Sequence, residues 1–226
     1  MSVGLSFRND HDAVVLDSEY SRLCVIASGR YQPTEEHGLG STTWFPRIVT
    51  TAEPPLVFVR PDTVGAIASL CFMQVLGEPG RWSGFYVRAT SIHTAQPNGR
   101  YFVAAFAAQP VARFGLRLFA GNGQLLFDSG TPCAVFTRSF QNWTYTHSDR
   151  SETGSYRNYY QIPFHFPENE YLLINSFGMP LLSGDNVGRV LSSWWDFPGR
   201  RMLAITEAFS NPFDFHLPAV FARMHH

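Results

Sequence analysis

A few side chains in this sequence have the types and spacing to do chemistry. Glu35-Glu36-His37 sits in a turn-rich stretch, and Asp149 lies three residues before Glu152. Paired carboxylates of this kind serve as acid and base, or acid and nucleophile, in glycoside hydrolysis. Surface loops carry the same residues without any reaction. The eight histidines, at 11, 37, 93, 147, 165, 216, 225 and 226, have no regular metal-ligand spacing. Gly121-Asn122-Gly123 contains a GxG, which a hairpin turn explains better than a nucleotide site. The sequence holds no GxSxG, no HExxH, no P-loop and no GxGxxG after a strand. The expectation is therefore no enzyme, with no catalytic residue, no metal ligand and no cofactor.

Aromatic side chains carry the alternative, which is binding. Trp143, Tyr145, Tyr156, Tyr159 and Tyr160 crowd one polar stretch, and Trp194-Trp195 is followed by Arg200-Arg201. Tryptophan, tyrosine and arginine are the residues enriched at protein contacts, and aromatic rings also stack on sugars. These nine positions are the candidate interface. Neighbours on a strand point to opposite faces, so Trp194 and Trp195 cannot both be core if they lie on one strand.

The elements that would position these groups are short. The 226 residues are 45% apolar, which excludes a disordered chain, and 15% aromatic. Fifteen prolines and eighteen glycines are spread along the sequence, as many short strands joined by tight turns require. A formal charge of −1, with arginine as the only basic side chain besides histidine, gives no global field for nucleic acid. The longest apolar run, Val64 to Leu76, contains Gln74 and is shorter than the roughly 20 residues of a membrane helix, so no membrane insertion is expected. Arg8, Asp10 and Asp12 interrupt any secretory apolar region. Cys24, Cys71 and Cys133 are odd in number and have no CxxC spacing, so they read as buried, reduced thiols.

Strands are expected at 23–26, 48–51, 56–59, 84–89, 101–106, 134–136, 171–175 and 202–206, with a long surface loop over 28–46. The run 64–76 fits a strand better than a helix, and residues 138–160 suggest strand edges or an aromatic loop. A repeat organises the whole. Gly4-Leu5-x-Phe7 … Leu16-Asp17-Ser18 recurs without a gap as Gly115-Leu116-x-Leu118 … Phe127-Asp128-Ser129. The intervening turns are Asp10-His11-Asp12 and Gly121-Asn122-Gly123. The reading is all-β: two consecutive β-sandwich-like modules, 1–111 and 112–226, each opening with a similar β-hairpin.

This doubled hairpin resembles small β-rich tail-tip and baseplate-associated minor tail proteins of long-tailed bacteriophages. The resemblance covers residues 3–18 and 114–129. It implies a virion structural protein of the distal tail, assembled in the host cytoplasm and contacting other tail, baseplate or fibre proteins. It also implies a homo-oligomer, with a trimer favoured, and a possible contact with a host-surface glycan or receptor. The alternative from the aromatic residues is a carbohydrate- or receptor-binding β-sandwich module.

Overall fold

The computed structural model describes residues 6–8, 10, 14–17, 21–38, 40–90, 94–150, 154–178, 181–182, 188–208 and 215–225. Gly4-Leu5, the His11-Asp12 turn, Ser18 and Glu152 lie outside the described residues.

The described elements are almost all strands, and each half of the chain begins with a hairpin. In the first half β1 (Ser6–Arg8) and β2 (Val14–Asp17) form it, followed by β3 (Cys24–Tyr31), β4 (Gly40–Val49), β5 (Leu56–Pro61), β6 (Ile67–Leu76), β7 (Trp82–Arg88) and β8 (Gly99–Ala105). In the second half β9 (Arg117–Phe119) and β10 (Leu125–Asp128) form it, followed by β11 (Cys133–Phe140), β12 (Thr144–Arg150), β13 (Tyr156–Pro163) and β14 (Tyr171–Leu173). One helical turn α1 (Ile174–Phe177) then leads to β15 (Leu181–Leu182), β16 (Gly188–Asp196), β17 (Arg201–Ala208) and β18 (Ala219–His225).

The hairpins repeat at the level of the backbone. Ser6, Phe7 and Arg8 pair with Asp17, Leu16 and Val14. Arg117, Leu118 and Phe119 pair with Asp128, Phe127 and Leu125. Every partner lies 111 residues after its counterpart, and the same position is skipped as a bulge, at Val15 and at Leu126.

Two antiparallel layers make a sandwich-like fold. Six strands close a barrel in the order β11-β18-β14-β5-β8-β3, and the facing sheet runs β12-β13-β17-β16-β6-β7-β4, with β15 beside β16. Each layer is one contiguous block from the first half joined to one from the second. In the barrel β3-β8-β5 mirrors β11-β18-β14, and in the sheet β4-β7-β6 mirrors β13-β17-β16 with β12 added at the edge. Among the described residues the halves meet at three ladders: β5 with β14, β6 with β16, and β3 with β11.

Alternation along the strands divides the apolar residues between two cores. Val57, Val59, Tyr101, Val103 and Phe221 of the barrel face Leu70, Phe85, Tyr160, Trp195 and Met202 of the sheet across the main core. The barrel lumen holds Leu23, Phe58, Phe102, Ala104, Tyr171 and Ala222. There Phe58 and Phe102 stack at 4.6 Å, and Tyr171 meets Phe102 edge-on at 5.1 Å.

The run 64–76 is strand from Ile67 to Leu76, but two expectations need correction. Residues 28–46 are not a loop, because they contain the end of β3 and most of β4. Strand β4 lies at the edge of its sheet, where Pro46 and a solvated face are tolerated, and it lacks the alternation that marks a half-buried strand. The strand expected over 171–175 ends at Leu173. The Asn175 side chain accepts from the Val57 N–H at 2.9 Å and donates to the Pro55 carbonyl at 3.0 Å, which holds the chain against β5. Ile174 and Phe177, three apart on the helical turn, then bury together in the main core.

Candidate functional site

A groove of about 630 Å³ crosses the outer face of the large sheet where the two halves join. That volume lies within the range of small-ligand pockets, roughly 300–1,000 Å³. Strand register dictates its floor. Opposed across the ladders are Arg157 and Glu207, Tyr159 and Ile205, Ser192 and Ile205, and Ser192 and Cys71. Successive residues alternate faces, so this row points outward while Tyr160, Met202 and Trp195 point into the core.

One wall is the segment after β7. The Ala95 N–H donates to the Ile67 carbonyl at 2.8 Å, and the Ser69 and Thr94 hydroxyls are 2.7 Å apart. The rim is Phe72, thrown outward by a bulge between Cys71 and Gln74. Its φ of 50° is costly for a bulky side chain. The ring is 43% exposed and carries the Arg88 guanidinium 5.6 Å above its centre.

At the other end Arg157 donates to both oxygens of Asp149, each at 2.8 Å. That hydrogen bond holds the guanidinium pKa above its ordinary value. The Tyr159 hydroxyl donates to the same carboxylate at 3.3 Å. Burial is the main reason that this phenol is raised. Its ring stacks on His147 at 4.3 Å and meets Trp194 edge-on at 6.2 Å. The Trp194 indole packs on Tyr159, Leu203 and Ile205, and its buried Nε1–H has no acceptor among the described residues. Cys71 lies in the floor, where burial pushes its thiol up to about 11. The thiol is therefore protonated at neutral pH and is a poor nucleophile.

Two of the candidate carboxylates, Glu36 and Asp149, have structural partners. Glu36 accepts the Thr42 N–H at 2.8 Å, bracing the turn into β4. Asp149 is held by Arg157 and Tyr159. Among the described residues, no group of three or more His, Cys, Asp or Glu side chains is placed to hold a metal ion.

The aromatic candidates separate by face. Trp194 lines the groove and Trp195 is only 2% exposed in the main core, as strand alternation requires. Trp143 and Tyr160 are also core residues, and the Trp143 indole donates to the Leu217 carbonyl at 2.7 Å. Of the nine candidate interface positions, Trp143, Tyr160 and Trp195 are thus buried in the main core of this fold. Their short strands wrap the second half of the core, so aromatic density there fills the interior. Tyr159 is buried beneath His147, while Tyr145 and Tyr156 are half-buried. Arg150 donates to the Tyr156 hydroxyl at 3.0 Å. Arg200 and Arg201 are exposed, and Arg201 pairs with Asp196 at 2.6 Å.

Neither a protein-family model, nor a curated protein sequence, nor a solved structure matches this chain.

The sequence reading missed the apolar surface around the start of the second half. Phe106, Val111, Phe114, Leu116 and Phe119 are all exposed, Phe114 at 94%. A signal was present in Phe114-Gly115-Leu116, where large apolar residues flank a glycine outside any buried strand.

Proposed function

We propose that this protein is a structural component of the tail tip or baseplate of a long-tailed bacteriophage, working through contacts with neighbouring tail or fibre subunits. The observation that supports this reading best is the exposed apolar set from Phe106 to Phe119. An isolated subunit rarely leaves so many large apolar side chains of one segment in water unless a partner covers them. The doubled hairpin that carries the resemblance to tail-tip proteins supports the same reading, since this segment enters its second copy. Self-association is part of the proposal, with a trimer favoured by the symmetry of such assemblies.

The test is sedimentation of the purified chain alone and with co-expressed tail proteins, together with the Phe114→Ser/Phe119→Ser variant. The expected result is an oligomer or tail complex that the double substitution dissolves without lowering Tm. A wild-type chain that stays monomeric and captures no tail protein would overturn the reading.

A second reading is a carbohydrate- or receptor-binding module, supported by the groove floored by Trp194 and flanked by Phe72, Arg88 and Arg157. An indole beside charged hydrogen-bonding groups suits a polar ring with an apolar face. Glycan-array binding abolished by Trp194→Ala would promote this reading. No binding by the wild-type chain at millimolar glycan would remove it.

A further inference from the structure

We propose that Cys24 and Cys133 are a redox site, a dithiol that closes to a disulfide and so locks the two halves of the chain together at the barrel seam. Strands β3 and β11 close the barrel through a single residue pair, and that pair is Cys24 opposite Cys133. The flanking hydrogen bonds fix the type of pair. The Val25 N–H donates to the Pro132 carbonyl at 2.7 Å, and the Ala134 N–H donates to the Leu23 carbonyl at 2.9 Å.

Bonds on both sides, with none between the cysteines themselves, define a narrow non-hydrogen-bonded antiparallel pair. Its Cα atoms are about 4.5 Å apart and its side chains point the same way. Disulfides span Cα separations of roughly 4.4–6.8 Å, so the backbone need not move. Leu23, Val25 and Ala134 face the lumen. By alternation both sulfurs point away from it, together.

The two thiols already interact. Their mutual interaction lowers the Cys133 thiol and raises that of Cys24. Arg22 adds to the acidity of Cys133, while burial opposes it. Cys133 is the better attacking sulfur at neutral pH. Both thiols are buried, Cys133 at 7% exposure. A seam of one residue pair opens more readily than the longer ladders on either side, which gives an oxidant access.

The oxidant is a small-molecule disulfide, with glutathione disulfide as the probe. The Cys133 thiolate attacks one sulfur of its S–S bond and releases one glutathione thiolate, which takes up the proton that Cys133 has lost. Cys24 then loses its proton and attacks the Cys133 sulfur of the mixed disulfide, expelling the second glutathione thiolate, which takes up that proton. Two protein thiols become one disulfide, and one glutathione disulfide becomes two glutathione thiols. The pair stays open in a reducing compartment and closes in an oxidising one.

The experiment treats the folded full chain with glutathione disulfide or dithiothreitol, alkylates after unfolding, and maps peptides by mass. The oxidised chain is expected to lose about 2 Da, to leave Cys71 as the alkylated thiol, and to yield a linked 24–133 peptide. Tm should rise by about 5–10 °C and fall back on reduction, because the link closes a loop of more than a hundred residues. Cys71→Ala should keep that rise and Cys24→Ser should lose it. If Cys24→Ser fails to fold, reversal of the wild-type shift by dithiothreitol carries the test. Three free thiols after oxidation of the folded chain, a link through Cys71, or a 24–133 link that leaves Tm unchanged would each overturn the proposal.

Discussion

Ser129 fills the space that a side chain on Gly115 would take. A Cβ on Gly115 would lie 2.0 Å from the Ser129 Oγ, and the Gly115 φ of 145° is one that other residues rarely adopt. The Ser129 hydroxyl accepts the Leu116 N–H at 3.1 Å, and the Ser129 N–H donates to the Leu116 carbonyl at 3.0 Å. The motif Gly-Leu … Asp-Ser is thus one physical unit, in which the glycine leaves room for the serine that ties the hairpin shut. Gly115→Ala is expected to cost about 1–3 kcal/mol in denaturant unfolding. Adding Ser129→Gly should recover the steric share but not the backbone share, so a double mutant no more stable than Gly115→Ala would contradict the contact.

Asp128 completes that unit and sets an acid limit on it. Burial alone would raise its pKa, but the Arg117 guanidinium at 2.7 Å and the Gly130 and Ala112 N–H groups hold it below the ordinary carboxylate value. A depressed folded-state pKa contributes stability above the unfolded value, near 4, and loses it as pH falls through the folded value. Asp128→Asn should therefore lower stability at pH 7 and make less difference below about pH 3. Thermal melts from pH 2 to 7 measure this, and an equal loss at every pH would refute it.

The hairpins, most central strands and the all-β class were legible because they rest on local pattern: turn residues, apolar alternation and the repeat. What escaped was set by distant partners. Strand β4 has little alternation because it is an edge, and its pairing with β7 is invisible locally. The helical turn at Ile174 follows from Asn175 bonding β5 across 118 residues of chain. The aromatic cluster showed where rings are dense but not which face they take. Once β16 is known to be a strand, parity alone sends Trp195 inward and leaves Trp194 in the groove.

That parity gives a paired prediction. Trp195→Ala should destabilise by about 3–5 kcal/mol, the cost of emptying an aromatic core site. Trp194→Ala, on a partly covered face, should cost less than about half of that. Chemical denaturation of both variants decides it, and equal losses would contradict the inward and outward assignment.

Arg60 offers a fourth case. It is 3% exposed, and its guanidinium bonds mainly to backbone carbonyls. It donates to the Phe166 carbonyl at 3.1 Å and the Pro167 carbonyl at 3.2 Å in the other half, and to the Pro61 carbonyl at 3.1 Å. Burial pulls its pKa down. Arg60→Met keeps much of the volume but strips these carbonyls of a donor, so stability should fall by about 2–3 kcal/mol. Unchanged stability would show that those carbonyls are satisfied by other means.

The ring of six barrel strands also settles how many copies this unit can have. A closed sheet exposes no backbone edge, so a third repeat in tandem would find one layer already complete. The other layer ends at β12, a strand of polar and charged residues, and at β4, where Pro46 and a broken register blunt the edge. The barrel layer therefore offers a further repeat no ladder to extend.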